Sequence, residues 1–143
     1  MPTEKHDLPL WTHPARLPLG LGWKGYCTAP GHERQLPAEE QLRDNCNLGY
    51  VRSCPWCPPD RAWEATRFGV SRESDRRIVL CYVREKNHGP IEHGTLEYDH
   101  AFARWNSSHP DARVQRMAEC YLEAYLLRKT AARTGELVSS PPL

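Results

Sequence analysis

Residues 78–83 read Ile78-Val79-Leu80-Cys81-Tyr82-Val83, a continuous apolar run rich in β-formers. Such a run is expected of a central strand covered on both faces. On its N-terminal side Thr66, Phe68 and Val70 alternate as a second strand, and on its C-terminal side Thr95 to Tyr98 alternates again, with Leu96 and Tyr98 on one face. The connection Glu85-Lys86-Asn87-His88-Gly89-Pro90 is turn chemistry. Together these segments predict a small three-stranded antiparallel meander.

Further along, Ser108-His109-Pro110-Asp111 has the composition of a helix start, with Ser108 as the cap. Val114, Met117, Ala118, Tyr121, Leu122, Ala124 and Tyr125 then fall on one stripe at helical spacing. Gly135 is the expected stop, and residues 139–143 form a tail. A long C-terminal helix packed on one face of the meander gives an α+β fold over residues 61–138.

The composition changes near residue 60. Nine of the thirteen prolines and three of the five tryptophans lie before it. Proline fixes φ and removes a donor, so Leu8-Pro9-Leu10-Trp11 and Leu17-Pro18-Leu19-Gly20-Leu21-Gly22 read as irregular chain. These segments are too apolar for an idle linker. Leu10, Trp11, Leu17, Leu19, Leu21, Trp23 and Tyr26 need a surface, either the protein's own or that of a protein partner. One short helix is expected between Pro37 and Asp44, with Pro37 at its first position and Glu39 and Glu40 at the positive end of its dipole. Cys46 then falls just beyond the helix end. Residues 1–60 therefore read as a Pro-rich arm with a Cys-rich region, forming one compact unit with the domain that follows.

Within that region runs Cys27-x4-His32-x13-Cys46-x7-Cys54-x2-Cys57, five candidate ligands for four positions. Two thiolates in the turn Cys54-Pro55-Trp56-Cys57 can grip one metal, and the others complete the shell. Zinc accepts Cys27, Cys54 and Cys57 with either Cys46 or His32, because a tetrahedron of S and N donors is its main requirement. An iron–sulfur cluster would take Cys27, Cys46, Cys54 and Cys57. Only one Cys-x2-Cys turn is present, where a zinc ribbon usually has two, and Pro58 after Cys57 matches the Cys-Pro ending of some ferredoxin runs. The x18 and x7 spacings fit no iron–sulfur signature. Either metal would make an irregular arm foldable, since metal-binding free energy becomes folding free energy. The bland alternative makes Cys27 and Cys46 small core residues and Cys54–Cys57 an inert or redox dithiol. A thioredoxin-type thiol needs a helix N-terminus, and Pro58-Pro59 obstructs one.

A second constellation, His88, Glu92 and His93, places two imidazoles and a carboxylate in one hairpin, with the composition of a small catalytic metal site. Loop histidines more often cap backbone groups. Cys81 and Cys120 lie on apolar faces and read as core. The formal net charge of +1 and the interleaving of Arg and Lys with Glu and Asp argue against nucleic acid as a partner. The one feature in its favour is the placing of Trp56 and Trp63 near arginines. The first seven residues have no apolar stretch of signal-peptide length, and no segment approaches a membrane span. Both features predict a cytoplasmic protein, where clustered cysteines serve as ligands rather than disulfides.

The expectation is a small metal-binding accessory or interaction protein with structural zinc. An iron–sulfur electron-transfer or redox-sensing protein, as a subunit of a larger redox complex or on its own, is the main alternative. A small metalloenzyme built on His88, Glu92 and His93 is a weaker one. There is no Gly-rich phosphate loop, Gly-x-Ser-x-Gly elbow or His-Glu-x-x-His motif to favour an enzyme.

Overall fold

A computed structural model describes residues 1–6 and 13–135. Leu10 and Trp11 of the apolar arm, and the tail at 139–143, lie outside these residues. The fold is α+β. Two antiparallel sheets, of two and four strands, accompany a long helix.

The larger sheet runs in the order β3 (Ala65–Glu73), β4 (Arg77–Lys86), β5 (Gly89–Asp99), β6 (Arg104–Ser107), all antiparallel. The sheet has four strands rather than the three expected from sequence, because β6 pairs with β5 at the expected edge. Across it, Leu80 stands opposite Val70 and Leu96, and Ile78 opposite Tyr98. Because side chains alternate along a strand, Ile78, Leu80 and Tyr82 share the face that the helix covers. Val79, Cys81 and Val83 point the other way and are only half-buried. The central strand is therefore covered on one face, not two. Its apolar run reflects flanking strands on both edges rather than a second helical layer.

The β4–β5 hairpin turns at Asn87 and His88, with φ of 53° and 62°. Two successive positive φ values match the twist of a tight hairpin, and asparagine tolerates that region better than most residues. The helix α2 spans Ala112–Gly135. Its cap is Asp111 rather than Ser108. The Asp111 carboxylate accepts the Arg113 N–H at 2.9 Å, and the Gln115 side chain accepts the His109 N–H at 2.8 Å. Leu122 and Ala118 meet Ile78, Leu80 and Leu96 in the main core, which Phe68, Tyr82, Tyr98, Trp105 and Tyr121 surround.

The N-terminal half contains more regular structure than its prolines suggest. Strand β1 (Pro2–Lys5) pairs with β2 (Trp23–Gly25). Gly25 is needed there, because a Cβ would fall 2.1 Å from the Met1 carbonyl oxygen. The Arg116 guanidinium donates to the Pro2 and Thr3 carbonyls, and Arg128 donates to the Gly20 carbonyl, tying this half to α2. The short helix α1 (Glu39–Gln41) continues as a π-helical turn over Leu42–Asn47. Cys46 thus sits inside the helical segment, not beyond it. Leu17 and Trp23 are buried, so the described part of the arm packs on its own protein.

Leu80 is fully buried, whereas Ile91 is 54% exposed. Leu80→Ala should cost about 2–5 kcal/mol in chemical denaturation, and Ile91→Ala about 0.5 kcal/mol or less. Equal losses at the two positions would contradict this placement of the core.

Candidate metal centre

The four clustered cysteines come from three separate segments that border one cavity. Cys27 follows β2, Cys46 lies in the π-helical turn, and Cys54 and Cys57 lie in the loop leading to β3. All four line a single cavity of about 470 Å³, walled by Trp23, Leu42, Trp56, Trp63 and Met117. All six cysteines of the chain are free thiols.

Each arm of the site is locally ordered. Backbone bonds Cys27 N–H to Gln35 O (2.8 Å) and Arg34 N–H to Cys27 O (2.9 Å) close a small loop, which turns through Gly31 and Arg34 at positive φ. At its base the Ala29 N–H donates to Cys27 Sγ at 3.3 Å. Cys54 and Cys57 are linked across their turn by a 3.2 Å bond from the Cys57 N–H to the Cys54 carbonyl. The Gln41 amide, one helical segment away, donates to Cys54 Sγ at 3.3 Å. Two of the four sulfurs therefore already accept hydrogen bonds.

Cys46 is solvent-exposed as a residue, but its thiol is largely desolvated. That desolvation, with a smaller contribution from the neighbouring Cys54 and Cys27, pushes its pKa up to about 11. Burial also raises the Cys57 thiol, partly offset by the Arg61 guanidinium. Among the described residues, no group of three or more His, Cys, Asp or Glu is drawn together tightly enough to hold a metal ion. The four cysteines border one cavity without being closed around one point.

The alternative ligand His32 is engaged elsewhere. Its ring stacks on Trp56, with centroids 4.7 Å apart and planes 9° from parallel, and its Nδ1 lies 3.0 Å from Gln35 Oε1. Trp63 is likewise occupied, with the Arg84 and Arg113 guanidinium groups 4.8 and 5.3 Å from its ring centre. The two tryptophans near arginines are thus both committed within the protein.

His88, Glu92 and His93 are not brought together. His88 forms the hairpin turn, and Glu92 and His93, adjacent on β5, project to opposite faces. Glu92 belongs to a network that sequence reasoning missed. Its carboxylate accepts from Arg84 at 3.0 Å and lies 3.3 Å from Nε2 of the buried His109. The Asp111 N–H donates to His109 Nδ1 at 2.9 Å, which leaves Nε2 as the protonated nitrogen facing Glu92. No sequence periodicity marks His109, whose partners lie on β5 and at the start of α2. Cys120 is fully buried, and burial pushes its pKa to about 11, whereas Cys81 is half-buried with its thiol 3.4 Å from the Gly69 carbonyl. No helix among the described residues is long and apolar enough to cross a membrane. Comparison with protein-family models, curated proteins and solved structures finds no match to this chain.

The Arg84 hydrogen bond, against some desolvation and with help from His109, holds the Glu92 carboxyl below its ordinary 4.5. A carboxylate with a lowered folded-state pKa stabilises the fold fully above the unfolded value, and that stabilisation fades as pH falls through the folded value. Glu92→Gln should therefore be less stable than the parent above pH 4.5, with the gap closing as the pH drops further. Denaturation midpoints measured across that range would contradict the network if the gap were absent, or unchanged in acid.

Proposed function

We propose that Cys27, Cys46, Cys54 and Cys57 hold one metal centre, and that the protein is a metal-binding accessory or interaction protein whose N-terminal half this centre staples. The observation that carries the reading is that four cysteines, from three separate segments, line one cavity. Zn²⁺ and a single iron–sulfur cluster are the two cofactors that a four-thiolate donor set suits. Ligation would convert metal affinity into folding free energy for a half whose described residues include few buried apolar side chains, chiefly Leu17, Trp23 and Leu42.

The staple has a use beyond stability. Leu36, Leu48 and Tyr50 remain exposed on the cysteine-bearing half, and Leu10 and Trp11 belong to the same stretch of chain. Exposed apolar side chains such as Leu36, Leu48 and Tyr50 suit docking on a partner protein. Six free thiols suit a reducing compartment such as the cytoplasm.

Protein purified without chelator should contain metal bound in proportion to chain, and Cys54→Ser should lose most of it. Complete chelation should lower the thermal midpoint and open the first sixty residues to proteolysis, while α2 and the four-stranded sheet persist. Absence of metal from the parent, or an unchanged midpoint and cleavage pattern after its removal, would rule the proposal out.

A further inference from the structure

We infer that the half-open cleft bordered by the cysteines binds a small organic anion with an aromatic body, independently of any metal on the thiols. The cleft measures about 470 Å³. Small-molecule sites typically span about 300–1,000 Å³ and combine apolar walls with a few placed polar groups. The cysteines supply only part of the boundary here. Trp23, Leu42, Trp56, Trp63 and Met117 supply much of the rest. Indole rings and a thioether are surfaces on which a flat ring packs well.

The charged groups at the cleft are mostly cationic. Lys24, Arg61 and Arg113 line it, against one carboxylate among the described residues, Asp60. That carboxylate lies 3.8 Å from the Lys86 ammonium. Lys24 pairs with Glu4 at 3.1 Å, and Arg113 pairs with Asp111 at 3.5 Å. Arg61 differs from both. Half-buried, it has no carboxylate partner among the described residues, and its one hydrogen bond is a long one of 3.4 Å to the Glu64 carbonyl. A guanidinium with spare donors beside an apolar wall is matched by a carboxylate or sulfonate, which can accept two parallel hydrogen bonds from it. A neutral ligand would leave that charge unmatched, and a cation would be repelled.

The walls are held in place before any ligand arrives. Leu42, Asn45, Cys46 and Asn47 of the π-helical turn all line the cleft. Such turns are rare, and they occur frequently at functional sites. Asn47 ties this turn to Trp23 on β2. The Asn45 amide donates to the Tyr50 carbonyl at 3.3 Å and to the Ser53 hydroxyl at 3.1 Å, tying it to the segment that leads to Cys54. A pre-formed cleft spends less of its binding free energy on ordering its own walls.

The test is fluorescence titration of the full chain with two dyes. One is anilinonaphthalene sulfonate, an aromatic anion, and the other is the uncharged phenylnaphthylamine. The anion should saturate at one dye per chain and bind about tenfold more tightly than the neutral dye. Arg61→Gln should abolish that preference while leaving the neutral dye's affinity unchanged, and Arg61→Lys should keep most of it. Arg104→Gln, which removes an arginine outside the cleft, should change neither affinity. Met117→Trp, which fills the cleft from α2, should weaken both dyes. Equal affinity for the two dyes, several dyes per chain, or an Arg61→Gln variant that behaves like Arg104→Gln would overturn the inference. Metal content measured on the same samples keeps the two readings apart, because a parent that holds metal but shows no preference for the anion overturns this one alone.

Discussion

The buried side chain of Asn47 is the contact on which the geometry of the cysteine half depends. Its Oδ1 accepts the Trp23 N–H at 2.8 Å, and its Nδ2 donates to the carbonyls of Trp23 and Leu42 at 2.8 and 2.9 Å. One amide thus stands in for the neighbouring strand that β2 lacks on that side, and also closes the π-helical turn. Cys46 is its immediate neighbour, and Cys27 lies four residues beyond Trp23. The contact that satisfies the backbone therefore also fixes two of the four thiols relative to each other. Leaving the buried Trp23 N–H without a partner would cost about 1–3 kcal/mol, a strong reason for this register to persist.

Around that clamp, α2 acts as a floor for both halves. Ala118 and Leu122 face the four-stranded sheet. Met117 and Arg113 line the cysteine cavity, and Ala124 lies beneath Gly20. Arg113 also reaches Trp63 opposite Arg84, so the loop carrying Cys54 and Cys57 is held between the helix and β4. The sheet, with its antiparallel pairing and apolar core, needs no metal to account for it. The cysteine half has irregular backbone and a small core, and a ligated metal would add most where the apolar contacts are fewest.

The parts of this architecture that are legible in sequence are those with a period. Alternation at Phe68 and Val70, the run from Ile78, and the stripe through Ala118 and Leu122 each report a buried face directly. Strand β6 escaped because its four residues, Arg104–Ser107, include one large apolar side chain, Trp105. Strand β1 escaped because Pro2–Lys5 is mostly polar and pairs through backbone alone. The helical extension to Asn47 turns with i to i−5 bonds, such as Leu48 N–H to Arg43 O at 3.0 Å, and helical periodicity does not register it. Composition alone pointed to the four cysteines, but Gln41, Asn47 and His109 did not stand out. Their partners sit 13, 24 and 17 residues away, and no local pattern encodes a polar contact across such distances.

The central claim is that four particular thiols share one metal. Differential alkylation read by mass spectrometry tests it most directly, for either metal. In the metal-loaded protein Cys27, Cys46, Cys54 and Cys57 should be protected together and become reactive together on chelation, while Cys81 and Cys120 keep their own rates throughout. Independent reactivity of the four, or protection that chelation does not release, would contradict the account.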